Sequence, residues 1–330
     1  MKILYAIQGT GNGHLSRARD IVPLLKKHCT THVLISGNQA DLDVPFEVNY
    51  KFNGLGFIFG KSGGVDLVST YKKNNLKRFL KEVKSLDLSE YDLIINDFEP
   101  VSAWAASKQK KICIGLSHQS AVLSDKAPRP RIPDPMGMLV LKTYAPVVEK
   151  FGFHFQKFDK NVFTPVIRQE VRNLRPNKGD HFTVYLPSYE DSKIIKVLSK
   201  IPSVDWEVFS KHNSKSFRSD NVFIRPIENN AFLESMAASA GVLCGAGFET
   251  PAEALFLKKK LMVIPMKNQF EQQCNAAALK AMGVPVIKSL KKKHIETIEK
   301  WTVTGKYIAV NYPDETEKIL QDVLKLYWKD

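Results

Sequence analysis

Short apolar runs alternate with longer amphipathic stretches along the chain, which is the pattern of alternating strands and helices. In the first half, apolar runs predict strands at residues 2–8, 31–37, 46–52, 91–97 and 111–116. In the second half they predict strands at residues 181–187, 204–209, 221–225, 242–244 and 261–264. Between and after the strands, helices are expected over residues 14–27, 67–84, 138–151 and 313–328, among others. This alternation is typical of parallel sheets, so the sequence predicts an α/β protein.

One glycine-containing turn in the second half is the clearest candidate for a binding site. It follows the strand at residues 242–244 and leads directly into a helix. The turn consists of Gly245, Ala246 and Gly247, followed by Phe248. Backbone N–H groups at a helix start are unpaired, and the helix dipole favours negative charge there. We therefore expect the turn to bind an anion such as a diphosphate.

The residues after the turn have the signature of a helix start. Thr250 is expected at the N-cap, Pro251 at the first helical position, and Glu253 three residues after the cap. Glu253 lies one helical turn beyond the anion, where a carboxylate accepts hydrogen bonds from ribose hydroxyls. The alternative is that Glu253 only closes a capping box.

A polar cluster occupies the next helix, which is expected to open near Asn268. Glu271, Gln272 and Asn275 are three or four residues apart, so they project from one side of that helix. Such a cluster suits the several hydroxyls of a sugar, although a solvated helix face is the alternative. Sites for phosphate, ribose and sugar then follow one another along a single strand–helix–strand–helix segment.

This order of motifs resembles the donor-sugar half of two-domain glycosyltransferases of the GT-B type. The resemblance rests on Gly-small-Gly at 245–247, on Thr-x-x-Glu-Ala from Thr250, and on acidic-Gln-x-x-Asn-Ala from Glu271. The nearest family is the one that adds N-acetylglucosamine to lipid-linked muramyl peptide, together with a related prokaryotic subgroup. Glu249 departs from the pattern, which usually has a small residue there. A carboxylate aimed at phosphates would repel them, so Glu249 must point away or pair with a cation.

The resemblance implies two Rossmann-like domains that face each other across a cleft. Residues 1–165 would form the acceptor-binding domain and residues 166–312 the nucleotide-sugar domain. The last segment, 313–330, would be a helix that returns to the first domain. The glycine-rich turn after the first strand would then be the acceptor-side loop. Its members are Gly11, Asn12 and Gly13.

The same glycine-rich turn invites a dinucleotide-binding interpretation, which two features exclude. The third small residue of that fingerprint should stand at position 14, which is His. The acidic residue expected after the second strand is also absent, because that strand ends in Gly37-Asn38.

His14 and Asp97 are the candidate catalytic residues. A sugar hydroxyl must lose its proton as it attacks, and an imidazole accepts protons near neutral pH. Asp97 ends a strand on the same sheet edge as the turn before His14, so it is expected to orient that ring, as the carboxylate of a catalytic triad does. Related glycosyltransferases carry an Asp at this strand end. The alternatives are that His14 caps its helix and that Asp97 is the N-cap before Pro100.

Further contacts follow from position or from the resemblance. Ser117-His118-Gln119-Ser120 resembles the acceptor turn of the muramyl-lipid enzymes, which implies that His118 and Gln119 line the acceptor side. Ser188, just after a strand, is expected near the donor phosphates. The resemblance places a backbone contact to the nucleobase around Arg225 and Ile227.

Composition adds constraints on partners and compartment. The net charge of +14 favours an anionic partner, with a solvated basic surface as the alternative. No nucleic-acid motif is present, so the expected partners are a nucleotide-sugar, a hydroxyl acceptor, for which a lipid-linked molecule is a candidate, and an anionic membrane surface. No run of about 18 apolar residues predicts a spanning helix. Scattered Cys29, Cys113, Cys244 and Cys274 fit a reduced cytoplasm.

The resemblance therefore implies a glycosyltransferase that uses a nucleotide-sugar, with UDP as the expected nucleotide, whereas the residues alone indicate a cleft that binds an anion and hydroxyls. A single displacement by a hydroxyl would invert the anomeric centre. We expect no metal and no cofactor, because the helix start after the glycine turn is expected to stabilise the departing diphosphate by itself. Two alternatives stay open. One is a nucleotide-sugar epimerase or hydrolase with Glu99 or Glu249 as an added acid, and the other is a non-catalytic nucleotide-sugar binding protein.

Overall fold

Two parallel sheets organise the chain, whose computed structural model describes residues 1–10, 12–37, 44–55 and 75–328. The first sheet has the order β3-β2-β1-β4-β5-β6-β7 and every pairing in it is parallel. Its strands are β1 Lys2–Gln8, β2 Thr30–Ser36, β3 Tyr50–Phe52, β4 Leu93–Asp97, β5 Cys113–Ser117, β6 Glu149–Phe153 and β7 Val162–Phe163. The helices of this part are α1 Asn12–His28, α2 Leu76–Ser85, α3 Pro100–Gln109, α4 His118–Val122 and α5 Pro135–Tyr144.

The second sheet has the order β10-β11-β9-β8-β12-β13, and only the β10–β11 pair is antiparallel. Its strands are β8 His181–Tyr185, β9 Asp205–Ser210, β10 Phe217–Ser219, β11 Val222–Pro226, β12 Gly241–Gly245 and β13 Lys260–Ile264. Its helices are α6 Gln169–Arg172, α7 Asp191–Leu198, α8 Asn229–Ala238, α9 Glu249–Phe256, α10 Phe270–Ala281 and α11 Ile295–Thr304, the last preceded by a 3₁₀ turn at Lys292–His294. The predicted α/β architecture of two Rossmann-like halves is therefore confirmed.

Burial explains why the central strands read as continuous apolar runs. Residues 3–8 of β1 and all of β4 and β5 are buried, because helices cover both faces of a parallel sheet. One large apolar cluster contains side chains from β1 and β4 as well as from β12 and β13. The two halves consequently share an apolar contact.

The C-terminal helix packs on the first half, as the resemblance implied. Helix α12, Thr316–Lys325, buries Ile319, Leu320, Val323 and Leu324 and contacts α1. Nε2 of His28, the last residue of α1, lies 3.0 Å from Oε1 of Glu317.

Two predicted helices differ from the structure. The helix expected over 138–151 is wrong: α5 begins earlier, at Pro135, ends at Tyr144, and is followed by strand β6. Pro146 cannot continue a helix, and the apolar residues on both sides of it conceal the break. The helix expected over 67–84 is found as α2 from Leu76, and residues 67–74 lie outside the described part of the chain.

Two further observations concern the whole described chain. None of its helices has the length and apolar character that crossing a bilayer requires. All four cysteines are buried and unpaired.

Candidate functional site

The ends of β1 and β4 bring the first turn and Asp97 together. These strands are parallel neighbours, with Ile7 paired to Asp97, so their carboxyl ends lie at the same sheet edge. Helix α1 begins at Asn12, which places His14 in its first turn. Nδ1 of His14 lies 2.8 Å from Oδ1 of Asp97. The two residues expected to act together are thus in direct contact.

Asp97 is fully buried but does not behave as an isolated buried acid. Burial raises the pKa of a carboxyl, yet Arg17 and His14 outweigh it and hold the pKa of Asp97 below its ordinary value. Tyr5 completes the surroundings, with its hydroxyl 3.4 Å from Oδ2. An ionised Asp97 accepts the Nδ1 proton of His14 and leaves Nε2 directed elsewhere. Helix α3 is capped by Glu99, so the predicted alternative of Asp97 as that N-cap is wrong.

Arg17 belongs to the same buried cluster and is absent from the residues predicted from the sequence. Its Nη2 lies 2.7 Å from Oδ1 and 2.9 Å from Oδ2 of Asp97, and 3.3 Å from Nδ1 of His14. The side chain is only 1% exposed. A signal existed, because position 17 falls on the buried face of α1 with Ala18, Ile21 and Leu25, where a cation needs a partner.

Glu249 lies opposite Arg17 and forms an ion pair with its Nη1. This contact crosses the cleft, because α1 belongs to the first half and α9 to the second. A Cβ added to Gly13 would lie 3.2 Å from Cγ of Glu249, so glycine permits the close approach. Burial raises the pKa of Glu249 to about 7 although Arg17 acts in the opposite direction. The expectation that Glu249 either points away or pairs with a cation is met by the pairing.

The predicted anion-binding turn follows β12. A Cβ added to Gly247 would meet no atom within 4 Å, so the backbone there faces open space. Within the described part of the chain, the N–H groups of Gly247 and Phe248 donate to no protein acceptor. The predicted N-cap at Thr250 is wrong, because α9 begins at Glu249 and Phe248 occupies the cap position without a side-chain bond. Thr250 is the second helical residue.

Glu253 does not close a capping box, so that alternative is also wrong. Its carboxylate is buried and accepts two hydrogen bonds from Arg168, at 2.6 Å from Nε and 3.0 Å from Nη2. Such a bidentate pair fixes the plane of both side chains. The ribose contact of Glu253 stays a prediction, and it would have to coexist with Arg168.

The polar cluster of α10 is divided between two tasks. Oδ1 of Asn275 lies 2.6 Å from Nε2 of His118, and Nδ2 of Asn275 donates to Ala246 O at 3.1 Å. Glu271 accepts from Nε2 of Gln119 at 3.0 Å. Gln272 instead accepts from the backbone N–H of Met266 within its own half.

His118 and Gln119 therefore connect the first half to the donor half. The His118 ring stacks on Phe248, with centroids 3.9 Å apart and planes 9° apart. Burial lowers the pKa of His118. Nε2 of Gln119 also lies 3.3 Å from Nε2 of His14. Gln119 therefore borders the dyad, and the acceptor-side role of both residues stays a prediction.

Among the described residues, the remaining predicted contacts form no hydrogen bond with the turn at Gly245–Phe248. Ser188 is buried after β8, and Arg225 pairs with Glu207 at 2.6 Å. Ile227 donates its N–H to Ser210 O at 3.2 Å, so that hydrogen is not free for a nucleobase. Asn12 is the first residue of α1, and Gly11 lies outside the described residues.

A metal ion held by the protein at this site would need several His, Cys, Asp or Glu side chains as ligands. Across residues 1–10, 12–37, 44–55 and 75–328, no group of three or more His, Cys, Asp or Glu side chains could hold one.

Solved structures similar to this chain share its whole architecture. LpCGTa in complex with UDP is 9% identical, covers 100% of this chain and 99% of its own, and has a TM-score of 0.61. Phytolacca americana UGT2, complexed with UDP-2-fluoroglucose and pterostilbene, is 12% identical, with 99% of each chain covered and a TM-score of 0.60. A UDP-N-acetylglucosamine 2-epimerase is 12% identical, with 99% of this chain and 96% of the other covered and a TM-score of 0.59. A comparison with proteins of curated function finds no match.

Two facing Rossmann-like halves with a polar cluster between them define a GT-B type glycosyltransferase fold. The model of glycosyl transferase family 1 matches residues 1–302. The chain belongs to that family, and sugar transfer is its activity. The narrower muramyl-lipid subgroup stays a prediction.

Proposed function

We propose that this glycosyltransferase moves a sugar from a UDP-sugar to a hydroxyl acceptor. One observation carries the proposal: the two strand-end turns face each other. His14 and Arg17 both contact Asp97 in the first half, and Arg17 also contacts Glu249 of the second half. The turn at Gly245–Phe248 would take the diphosphate, and Nε2 of His14 would take the acceptor proton. Two of the similar structures described above, those of LpCGTa and of Phytolacca americana UGT2, contain UDP or UDP-2-fluoroglucose.

In the proposed reaction, the hydroxyl oxygen attacks the anomeric carbon while the bond to the diphosphate oxygen breaks. His14 takes the hydroxyl proton, and Asp97 stabilises the imidazolium that forms. The unpaired N–H groups at the start of α9 stabilise the departing diphosphate. One displacement inverts the anomeric centre, and we propose that it needs neither a metal nor a cofactor.

A thermal-shift screen tests the donor, because a ligand that binds only the folded protein raises the melting temperature. UDP and UDP-sugars should raise it, whereas ADP and GDP at equal concentration should not. A second assay follows transfer from the stabilising donor to a set of hydroxyl acceptors. If no nucleoside diphosphate raises the melting temperature, the proposed donor class is wrong.

We further propose a lipid-linked acceptor of the cell envelope, met at the cytoplasmic face of an anionic membrane. The outer face of α5 supports this, because Met136, Leu139 and Val140 are exposed at helical spacing. Arg131 and Lys142, both exposed, stand at either end of this face. Apolar side chains bordered by cations suit an anionic lipid surface.

Liposome sedimentation tests the membrane contact. Anionic vesicles should bind the protein in low salt and release it in moderate salt, and Leu139→Glu should weaken binding. Ile112→Glu changes another exposed aliphatic residue, which follows α3, and serves as the control. Equal binding of neutral and anionic vesicles, or none, contradicts the proposal.

The second candidate is a nucleotide-sugar epimerase or hydrolase, which Glu249 favours because its raised pKa suits acid–base chemistry beside the dyad. Glu99 is not available as the added acid of such an enzyme, because its buried carboxylate caps α3 and accepts hydrogen bonds from Val101 N and Ser102 N at 2.6 Å. Incubation of the donor alone separates the functions. Free nucleotide or an altered sugar in the absence of acceptor favours this second candidate.

A further inference from the structure

The Arg17–Glu249 pair occupies the cleft between the two turns. Glu249 is the first residue of α9 and directly follows the Gly245–Phe248 turn. Its Cγ approaches the backbone of Gly13 on the opposite turn. A carboxylate thus already lies at a helix start of the kind that binds anions, and it already uses the nearest cation.

Two negative groups cannot share this position without cost. A diphosphate bound at the turn would lie beside Glu249, and like charges a few ångströms apart repel strongly in a partly desolvated site. Arg17, the other residue of the ion pair, is equally constrained. Arg17 is almost fully buried, and its Nε has no hydrogen-bond partner within the described part of the chain.

We propose that Glu249 competes with the donor diphosphate for Arg17, and that Arg17 of the first half is a diphosphate-binding residue. The inference rests on the proposed function, because it assigns a new residue to the same donor site. A nucleoside diphosphate displaces the Glu249 carboxylate from Nη1 and takes its place. Nη2 continues to hold Asp97, so donor binding is connected to the His14–Asp97 dyad.

Proton uptake makes the displacement easy near neutral pH. Burial raises the pKa of Glu249 to about 7, so a large fraction of the side chains is protonated near neutral pH, and a protonated Glu249 neither holds Arg17 as an ion pair nor repels a diphosphate. Other charged and titratable groups surround it. They are Arg17, His14, Asp97 and Tyr5 from the first half, Arg168 from the segment before α6, and Glu253 from α9 itself.

These neighbours leave Arg17 as the cation available to a diphosphate beside Glu249. Asp97 is already bonded to His14 and Arg17. Glu253 is bonded by Arg168, whose guanidinium is occupied by that bidentate contact. Displacement of Glu249 therefore frees Nη1 of Arg17 for a new acceptor.

Isothermal titration with uridine diphosphate and with inorganic pyrophosphate tests the inference. Glu249→Gln should tighten both by about tenfold at pH 8, because repulsion and competition are removed. In the unaltered protein, the affinity for both ligands should rise as the pH falls from 8 to 6. The ratio of this affinity to the affinity of Glu249→Gln for the same ligand should then approach one. Arg17→Lys should weaken both ligands at every pH.

Two control variants separate binding from folding. Glu82→Gln neutralises another buried carboxylate, which accepts from the backbone N–H of Asn53 at 3.1 Å and of Gly54 at 2.9 Å. Lys259→Met removes a buried cation that donates to three carbonyls of the second half. Both should leave the two dissociation constants unchanged.

The outcomes distinguish this inference from the proposed function. If the unaltered protein binds uridine diphosphate but Glu249→Gln binds it equally or more weakly, the inference is overturned and the donor class stands. If neither probe binds the unaltered protein or Glu249→Gln, both are overturned. A third outcome is that uridine diphosphate does not bind, while the affinity for pyrophosphate rises in Glu249→Gln and falls in Arg17→Lys. This outcome supports the inference and rejects only uracil as the nucleobase.

Discussion

Nε2 of His118, on α4, lies 2.6 Å from Oδ1 of Asn275, on α10, and this bond joins the two halves of the molecule. Asn275 is fully buried and passes the connection on to Ala246 O in the anion-binding turn. Nδ1 of His118 lies 2.8 Å from Phe153 O at the end of β6. A continuous chain of polar contacts therefore runs from the first sheet to the donor turn.

His118→Phe is expected to lower the free energy of unfolding by about 1–3 kcal/mol. The ring can still stack on Phe248, but the amide of Asn275 loses its partner in a buried position. A double-mutant cycle with Asn275→Ala should give a coupling energy of about 1 kcal/mol. Thermal unfolding of the two single variants and the double variant measures it. Strictly additive effects would mean that the two side chains do not interact.

Much of this site was visible in the sequence because parallel strands align their carboxyl ends. Apolar runs predict the strand ends before His14, at Asp97 and before His118, and the topology of a parallel sheet brings these ends together.

The Arg17–Glu249 pair is concealed in the sequence because it depends on the contact between the two halves. Arg17 reads as one more basic residue of a helix until Glu249 is brought opposite it. The prediction of a cap at Thr250 is wrong because α9 begins at Glu249, two residues before Pro251, although Thr-Pro is the better local signal. Strand β6 was hidden by apolar residues that suit a helix equally well.

His14→Ala is expected to lower kcat by about 10²-fold and to leave the dissociation constant of the donor nearly unchanged, because the imidazole acts on the acceptor hydroxyl. Steady-state kinetics with a donor titration tests this. His32→Ala alters a histidine on β2 that contacts Tyr91 and should retain full kcat. Full activity of His14→Ala removes His14 from the mechanism.

Asp97→Asn should lower kcat at least as much as His14→Ala, and it should also lower the melting temperature. Arg17 donates to both Asp97 oxygens and His14 to one of them, so the NH₂ group of an asparagine must face a donor. The cation of Arg17 then loses part of its compensation in a buried place. Differential scanning calorimetry beside kinetics checks both effects. A variant with normal stability and kcat contradicts the role given to this carboxylate.

Glu253→Gln leaves the buried guanidinium of Arg168 without its carboxylate and should lower the free energy of unfolding by about 3–5 kcal/mol. The double variant Arg168→Met, Glu253→Leu replaces the pair by apolar groups and should recover most of that loss. The two variants also separate structure from binding. If Glu253 contacts the ribose, uridine diphosphate binds the recovered double variant more weakly than the unaltered protein. Equal affinity would limit Glu253 to a structural role.

The stability of the protein should carry a pH signature of Glu249. Its pKa is raised from 4.5 to about 7 in the folded protein, so the folded state holds the proton more tightly than the unfolded state. The resulting stabilisation is fully present below pH 4.5 and is lost as the pH rises through about 7. The two pKa values correspond to about 3 kcal/mol.

Glu249→Gln has no proton to lose at this position, so its free energy of unfolding should not show this decline between pH 4.5 and 7. Urea denaturation of both proteins across that range gives the difference curve, which should rise in favour of the variant by about 1–3 kcal/mol. Glu82→Gln, measured in parallel, reports what the loss of another buried carboxylate does by itself. A difference curve for Glu249→Gln that is flat across the range would show that Glu249 remains ionised throughout, held by Arg17, and that burial does not govern its titration.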